Sequence, residues 1–338
     1  MPYGFLSIGV RYLINLHALN NEGTAGNITR VRRVPYIIRT ENGYQTIQVN
    51  VISGQSIAHA IQAHIADLGV GKVPICEHCA RHVFVKSGSK DYMPKEIENL
   101  LKPSQAGDLS EQIKQYVKAE EALIKNCAVE DIGGFLVAAT GLLNIKREST
   151  FHVSFIAPIF DYSNLAYIES LQFARHEPVQ AAKKKKEEEA REAAEAQMIF
   201  VQEVAGGIYG MRLDFNYGDI GHSLIGGRKK VLDDDQIKDR LRIALEAIKR
   251  TIGYAEFGAK RSRFLPIQEL LEAVFIVSDG IPVSSPFTAS DFFNKTKRRA
   301  EAYKKLGGAG EVFYYRFDMD TDFEEVFSKV VEFILSNL

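Results

Sequence analysis

Basic side chains gather in two loop-like stretches of this 338-residue chain, and cysteine and histidine gather in a third. Ala18 to Pro35, ALNNEGTAGNITRVRRVP, sets Asn20, Asn21, Asn27, Gly23, Gly26, Arg30, Arg32 and Arg33 between two apolar runs. Asn and Gly accept tight turns and left-handed backbone, so the stretch predicts a shaped loop. Guanidinium forks match phosphate oxygens, and the N–H groups of a glycine-rich turn take more of them. The chemistry in prospect is holding a phosphodiester backbone; a basic surface connection with no ligand is the plain alternative. Gly258 to Pro266, GAKRSRFLP, repeats the theme with Lys260, Arg261 and Arg263. It lacks the P-loop pattern, so it reads either as a second backbone contact or as a basic surface turn. In CEHCARH, Cys76 and Cys79 have the spacing of half a zinc site, with His78, His82 and the distant Cys127 available to complete it.

The elements that position these groups belong to an ordinary soluble globular chain, 46% hydrophobic and 25% charged, long enough for a large core. A formal net charge of −1 means that any nucleic-acid site must come from segregated patches. Three cysteines, few and odd in number, argue against a disulfide framework and fit a reducing cytoplasm. FLSIGVRYLINLHAL alternates and carries Arg11, which predicts a strand and not a signal peptide; no apolar run is long enough to span a membrane. A cytoplasmic protein is expected.

Residues 5–19 predict one long strand, with Leu6, Ile8, Val10, Tyr12, Ile14 and Leu16 on one face and Ser7, Gly9, Arg11, Asn15 and His17 on the other. Pro35 to Arg39 and TIQVNVI flank Asn42-Gly43 and predict a hairpin. Ser53 to Leu68 predicts an amphipathic helix, with Ser53 as N-cap and Gly69 as stop. Residues 70–145 lose strand rhythm and predict a largely helical insert, including a charged helix from Leu109 to Lys125. Phe151 to Ile159 alternates again, with Phe151, Val153, Phe155, Ala157 and Ile159 on one side and His152 and Ser154 on the other. Lys183 to Gln197 is a low-complexity charged run that predicts a solvated arm or tip. Strands are predicted at Gly207 to Tyr217 and Leu270 to Ser278, with a helix from Asp233 to Ile252 between them. A basic helix (Asp291 to Leu306), a strand (Val312 to Phe317) and a helix (Phe323 to Leu335) complete the chain.

The core order is β-α-β-β-α-β, the split ferredoxin-like arrangement that RNA-recognition modules also use. Alternation puts Arg11, Asn15, His17, His152 and Arg212 on the sheet face that the helices leave open. The aromatic signature of ordinary RNA-recognition modules is absent, so base stacking on the sheet is not predicted.

In order and spacing, ALNNEGTAGNITRVRRVPYII, VISGQSIAHA, GGFL and GAKRSRFLP resemble the backbone subunit of archaeal type I-A CRISPR Cascade. That is the DevR-type autoregulator family of the repeat-associated RNA-binding superfamily, and the resemblance spans essentially the whole chain. It implies an α+β fold, a modified RNA-recognition (ferredoxin-like) palm with a helical fingers insert and a thumb insert. Here it implies a palm first half with the basic loop over 1–69, fingers over 70–145 and a palm strand over 146–160. A thumb over 161–200 and the palm second half with a C-terminal extension over 201–338 follow. The implied function is antiviral defence: copies line up as a helical filament along CRISPR guide RNA, beside other Cascade subunits, and hold it for pairing with target DNA. No membrane partner, cofactor or catalytic centre is implied.

By position in the motifs, Asn20, Asn27, Arg30, Arg32 and Arg33 become guide-backbone contacts. Ser53, Gly54 and Ser56 offer hydroxyl and N–H groups to a phosphate. Lys260, Arg261 and Arg263 form a second clamp, Arg175 and His176 stand near the thumb base, and His152 joins the RNA-binding set from the sheet. The family does not explain CEHCARH, where structural zinc on Cys76, Cys79, His82 and Cys127 stands beside plain thiols.

A metal-independent RNA-processing endonuclease of the same superfamily is the rival reading. It needs a general base and acid near a 2′-hydroxyl, which His17 and His152 on a shared open face would supply. No histidine has a recognisable partner in the sequence, and a lone strand histidine is ordinarily structural. A DNA-binding regulator is suggested by the family label alone, since no helix-turn-helix pattern appears. The sequence favours a binder.

Overall fold

The computed structural model describes residues 3–25, 27–103, 109–159, 166–175, 198–262, 265–288 and 291–338. Five strands open the chain: β1 (Phe5–His17), β2 (Asn21–Ala25), β3 (Ile28–Val31), β4 (Arg33–Thr40) and β5 (Gly43–Asn50). Helices α1 (Gly54–Gly69), α2 (Glu77–Ala80), α3 (Lys95–Leu100), α4 (Leu109–Asn126) and α5 (Ala128–Gly133) follow. Next come β6 (Phe135–Val137), β7 (Ile145–Arg147), β8 (Phe151–Val153), β9 (Ala157–Pro158), β10 (Tyr167–Arg175), β11 (Met198–Phe215), β12 (His222–Ser223) and β13 (Lys229–Lys230). The remainder is α6 (Asp234–Gly253), β14 (Ile267–Ser278), α7 (Phe292–Lys305), β15 (Gly310–Arg316) and α8 (Phe323–Ser336).

Leu6, Ile8, Val10, Tyr12 and Ile14 alternate along β1 and are all buried, which fixes its core face. β14 and β11 pair with its two edges and β8 lies outside β11, every pair antiparallel. This β14-β1-β11-β8 order is the ferredoxin-like sheet expected from the sequence. Ile57, Ile61 and Ile65 of α1 join Leu241, Leu245 and Ile248 of α6 in the main core, and Phe327, Val330 and Ile334 of α8 extend it. Each such side chain contributes about 1.5–3 kcal/mol by burial. Ser53 caps α1 as expected, its Oγ accepting the Ser56 N–H; Asp233, expected as the first residue of its helix, instead caps it in a reciprocal capping box with Gln236.

Three expectations of alternation fail, each for a local reason. The pairing of β1 with β11 shifts between Ile14 and His17, and Leu16 takes φ +53°. The slip inverts the face, so Leu16 is exposed and His17 is fully buried. Between β8 and β9 the chain gains one residue relative to β11, because Val153 faces Leu213 whereas Ala157 faces Gly210. Phe155 is thereby exposed, and Ile156 is buried in a bridge to Ile52. The third failure concerns the face expected to be open. Val283, Phe292 and Ala300 pack there against Val274 and Ile276. Arg11 is accordingly buried, its Nε donating to the Pro286 carbonyl at 3.0 Å and its guanidinium lying 4.9 Å from the Phe292 ring centre. His17 and His152 therefore share no open face, and the pair proposed for nuclease chemistry is not assembled.

β11 begins at Met198, earlier than the periodicity suggests. Its first half pairs with β10 on one edge, and β3 joins the other edge where β1 has left it. The Lys183 to Gln197 run and His176 lie outside the described residues. Residues of α3, α4, β6 and β7 form a separate small core around Leu101, Leu123 and Val137. A buried ionic cluster ties that insert to the sheet's second half. Asp131 accepts from Arg147 at 2.8 Å and Arg240 at 2.7 Å, and Glu120 accepts from Arg147 and from the Leu224 and Ile225 N–H groups.

Candidate nucleic-acid interface

The slip at the end of β1 is where the two basic loops meet. His17 Nδ1 accepts the Leu19 N–H at 2.6 Å, and Leu19 is held at φ +48°. The Leu19 carbonyl then accepts the Ala259 N–H at 2.9 Å, and the adjacent Asn20 carbonyl accepts the Arg32 N–H at 2.6 Å. Asn20 Oδ1 accepts the Ser53 N–H at 2.7 Å, which fastens the start of α1 to the same point. Gly258, at φ +92°, allows this closure, since a Cβ there would stand 2.8 Å from His17 Nε2 and closer still to Cε1. Leu16, Leu19, Ala255 and Lys260 are all non-glycine residues at positive φ. Strain of that kind persists only where surrounding contacts over-determine the backbone.

The junction collects cations in unequal states. Arg30 and Asn27 are exposed. Arg33 pairs with Glu203 at 2.7 Å, and the other Glu203 oxygen accepts the Val31 N–H at 3.0 Å, so the Arg33 charge is matched within the chain. Lys260 donates to Gln202 Oε1. Among the described residues, the Nε atoms of Arg32 and Arg261 are buried without a hydrogen-bond partner. Both residues are half-buried overall, and guanidinium forks are shaped to take phosphate oxygens. Burial lowers the pKa of His17 and His64, and the Arg261 charge adds to the lowering in both.

The other expected contacts divide. Ser53 caps α1, and Gly54 is a close-packing residue: a Cβ there would stand 3.1 Å from the Ser154 carbonyl oxygen and closer still to that of Val153. His152 is exposed opposite Asp214, at the end of β11 away from the junction. Arg175 ends β10 opposite Met198, and Arg263 lies outside the described residues. The sequence reading missed Gln202, Glu203, His64 and Glu256. Glu203 had a signal, since extending the Gly207 strand backwards through VQEVAG would have set it beside the basic loop. His64 to Glu256, 3.0 Å apart, had none, because that pairing depends on tertiary packing.

Residues 8–297 match the family described as "CRISPR-associated negative auto-regulator DevR/Csa2". The chain belongs to that family. Over 288 residues it is 29% identical to "CRISPR-associated protein Cas7/Csa2 1" of Saccharolobus solfataricus, covering 85% of this chain and 83% of that protein. It is 26% identical to "CRISPR-associated aCascade subunit Cas7/Csa2 2" of the same organism, covering 87% and 86%. A chain of "CRISPR RNA-guided surveillance complex, pre-nicking" shares the fold at TM-score 0.52 and 11% identity, covering 98% of this chain and 99% of that one. Among the described residues no helix is long and apolar enough to cross a membrane.

In this DevR/Csa2 chain, His17 links the junction to pH. Burial, reinforced by Arg261, lowers its pKa to about 4, against an ordinary value near 6.5. Above pH 6.5 the ring is neutral in both states and contributes nothing. As pH falls towards 4 the unfolded chain gains a proton that the folded chain refuses, so stability drops by about 3 kcal/mol and then levels off. His17→Asn, whose Oδ1 can still accept the Leu19 N–H, should flatten that part of the stability profile in denaturant titrations run from pH 7 to 4.

The cysteines form a second group. Cys76, Cys79 and Cys127 have their sulfurs within 4.8 Å of one another. His82, expected among them, instead sits 2.8 Å from Asp67 and stacks on Phe84. Its φ of +59° follows the tight turn after α2, which carries the ring away from the thiols.

Proposed function

We propose that this chain grips the sugar–phosphate backbone of a single-stranded CRISPR guide RNA, as a repeated subunit of a Cascade-type surveillance complex. The observation that carries this reading is the meeting of the two basic loops, which carry Arg32 and Arg261 and are fastened to the consecutive carbonyls of Leu19 and Asn20. Family membership supports it, as do an aCascade subunit among the relatives and a surveillance-complex chain of the same fold. Arg30, Arg32 and Arg261 make the phosphate contacts, with Asn20, Asn27 and Lys260 beside them, and Arg263, outside the described residues, belongs to the same contact set by its motif. Arg33, Ser53, Gly54 and Ser56 hold the surface in shape. Backbone gripping leaves base edges free, so sequence is read by guide pairing with target DNA and not by the protein.

The insert over 70–145 serves as fingers and the 161–200 segment as thumb, reaching adjacent copies and other Cascade subunits. The chain acts as a binder and not as a nuclease: His17 is buried with Nδ1 occupied, and His152 stands at the far end of β11. Affinity for two unrelated single-stranded RNAs at one salt concentration tests this. Equal affinities with intact RNA are expected; discrete cleavage products, or strong preference for one base sequence, would contradict it.

A further inference from the structure

Cys76, Cys79 and Cys127 converge at the neck of the helical insert, and RNA holding uses none of them. Cys79 and Cys127 are buried and Cys76 is half-buried. Two segments far apart in sequence supply the group: Cys76 stands just before α2, and Cys127 stands at the break between α4 and α5. The backbone fixes that meeting, since the Ala128 N–H donates to the Pro74 carbonyl at 2.8 Å.

We propose that these three thiols form a binding site for a thiophilic divalent cation, zinc foremost, which staples the outgoing and returning strands of the insert. Tetrahedral zinc with sulfur at about 2.3 Å sets its ligand sulfurs about 3.8 Å apart, which is compatible with three sulfurs that all lie within 4.8 Å of one another. Three converging thiols suit a metal better than a disulfide, which would leave the third without a role. Neither nearby histidine enters: His82 is taken by Asp67, and the His78 ring packs 4.4 Å from that of Tyr92. The fourth ligand position falls to solvent at the half-buried Cys76. Three thiolates around a divalent ion leave one net negative charge, and a half-buried lysine stands close enough to offset it. The Lys86 ammonium donates to the Gly133 and Gly134 carbonyls at 2.7 and 2.5 Å, and its charge reaches Cys79, Cys127 and the buried Glu130.

The test is metal content of the full chain purified with reductant and no added metal. One zinc per chain is expected, retained in His82→Ala and lost in Cys76→Ser, the trio member with most access to solvent. Exchange of cobalt(II) into the unmutated protein should give thiolate-to-cobalt charge-transfer absorption, a readout that depends on no variant. Chelation should lower the melting temperature. Protein that holds no zinc and gives no such absorption would overturn the proposal. So would metal that survives Cys76→Ser and Cys127→Ser but leaves with His82→Ala, or a disulfide among the three in the unreduced mass. RNA affinity enters none of these outcomes, so the metal site and the RNA surface stand or fall separately.

Discussion

Arg32→Gln combined with Arg261→Gln should weaken single-stranded RNA binding by two orders of magnitude or more at moderate salt, by a similar factor for every sequence. Each arginine offers a charge-assisted hydrogen bond worth about 1.5–3 kcal/mol, and about 1.4 kcal/mol is tenfold in affinity. The salt dependence should change in step. The slope of log affinity against log salt falls by about 0.7 for each phosphate of a single strand that is no longer neutralised, so by about 1.4 for the pair. Both guanidinium Nε atoms are unpartnered in the RNA-free chain, so removing them should cost little folding stability. Filter binding at several salt concentrations, with thermal melts of the same preparations, checks all three expectations. A variant that binds as tightly as the parent would remove the two arginines from the RNA surface. One with changed sequence preference and an unchanged slope would show that they read bases.

The largest effect on folding is expected at Asp131. Its carboxylate is wholly buried and accepts from Arg147, from Arg240 and from the Gly221 N–H. Arg147 and Arg240 are themselves buried. Asp131→Ala leaves the buried Arg240 guanidinium without its carboxylate and Arg147 with Glu120 alone, at a cost of about 3–5 kcal/mol. That is a large part of the 5–15 kcal/mol or so by which a folded chain is stable. Because Asp131 belongs to the insert and Arg240 to α6, the same substitution should also loosen the insert from the sheet. Chemical denaturation would show the destabilisation as a lower midpoint. A shift below about 1 kcal/mol would mean that the cluster is hydrated and that its charges are screened.

Much of the palm was legible because its signals are local. Leu6 to Ile14 alternate, Ile57, Ile61 and Ile65 recur at helical spacing, and Ser53 stands where a cap belongs. The failures share another character. Leu16 and His17 exchange faces through a one-residue slip that no side chain in the sequence announces. Arg11 is covered by Phe292, more than half the chain away, and alternation reports polarity without reporting what will pack over it. The site was half legible. Basic residues in glycine-bearing loops pointed to Arg30, Arg32 and Arg261, but their differing states depend on partners. Glu203 neutralises Arg33 because β11 runs back to Met198, well before the Gly207 start that periodicity suggests. For the cysteines, the sequence placed Cys76, Cys79, Cys127 and His82 in one candidate set, and the fold brings the three sulfurs together. Only the fold could choose Cys127 over His82, because ring direction after the turn at His82 decides it.

We propose that many copies of this chain hold one RNA by its backbone. The most direct test is to purify the chain alone, digest whatever nucleic acid accompanies it with nuclease, and size the protected RNA. Protection in evenly spaced steps, abolished when Arg30, Arg32 and Arg261 are replaced together, is the predicted result. An RNA-free chain that neither binds nor assembles when guide RNA is added would contradict it.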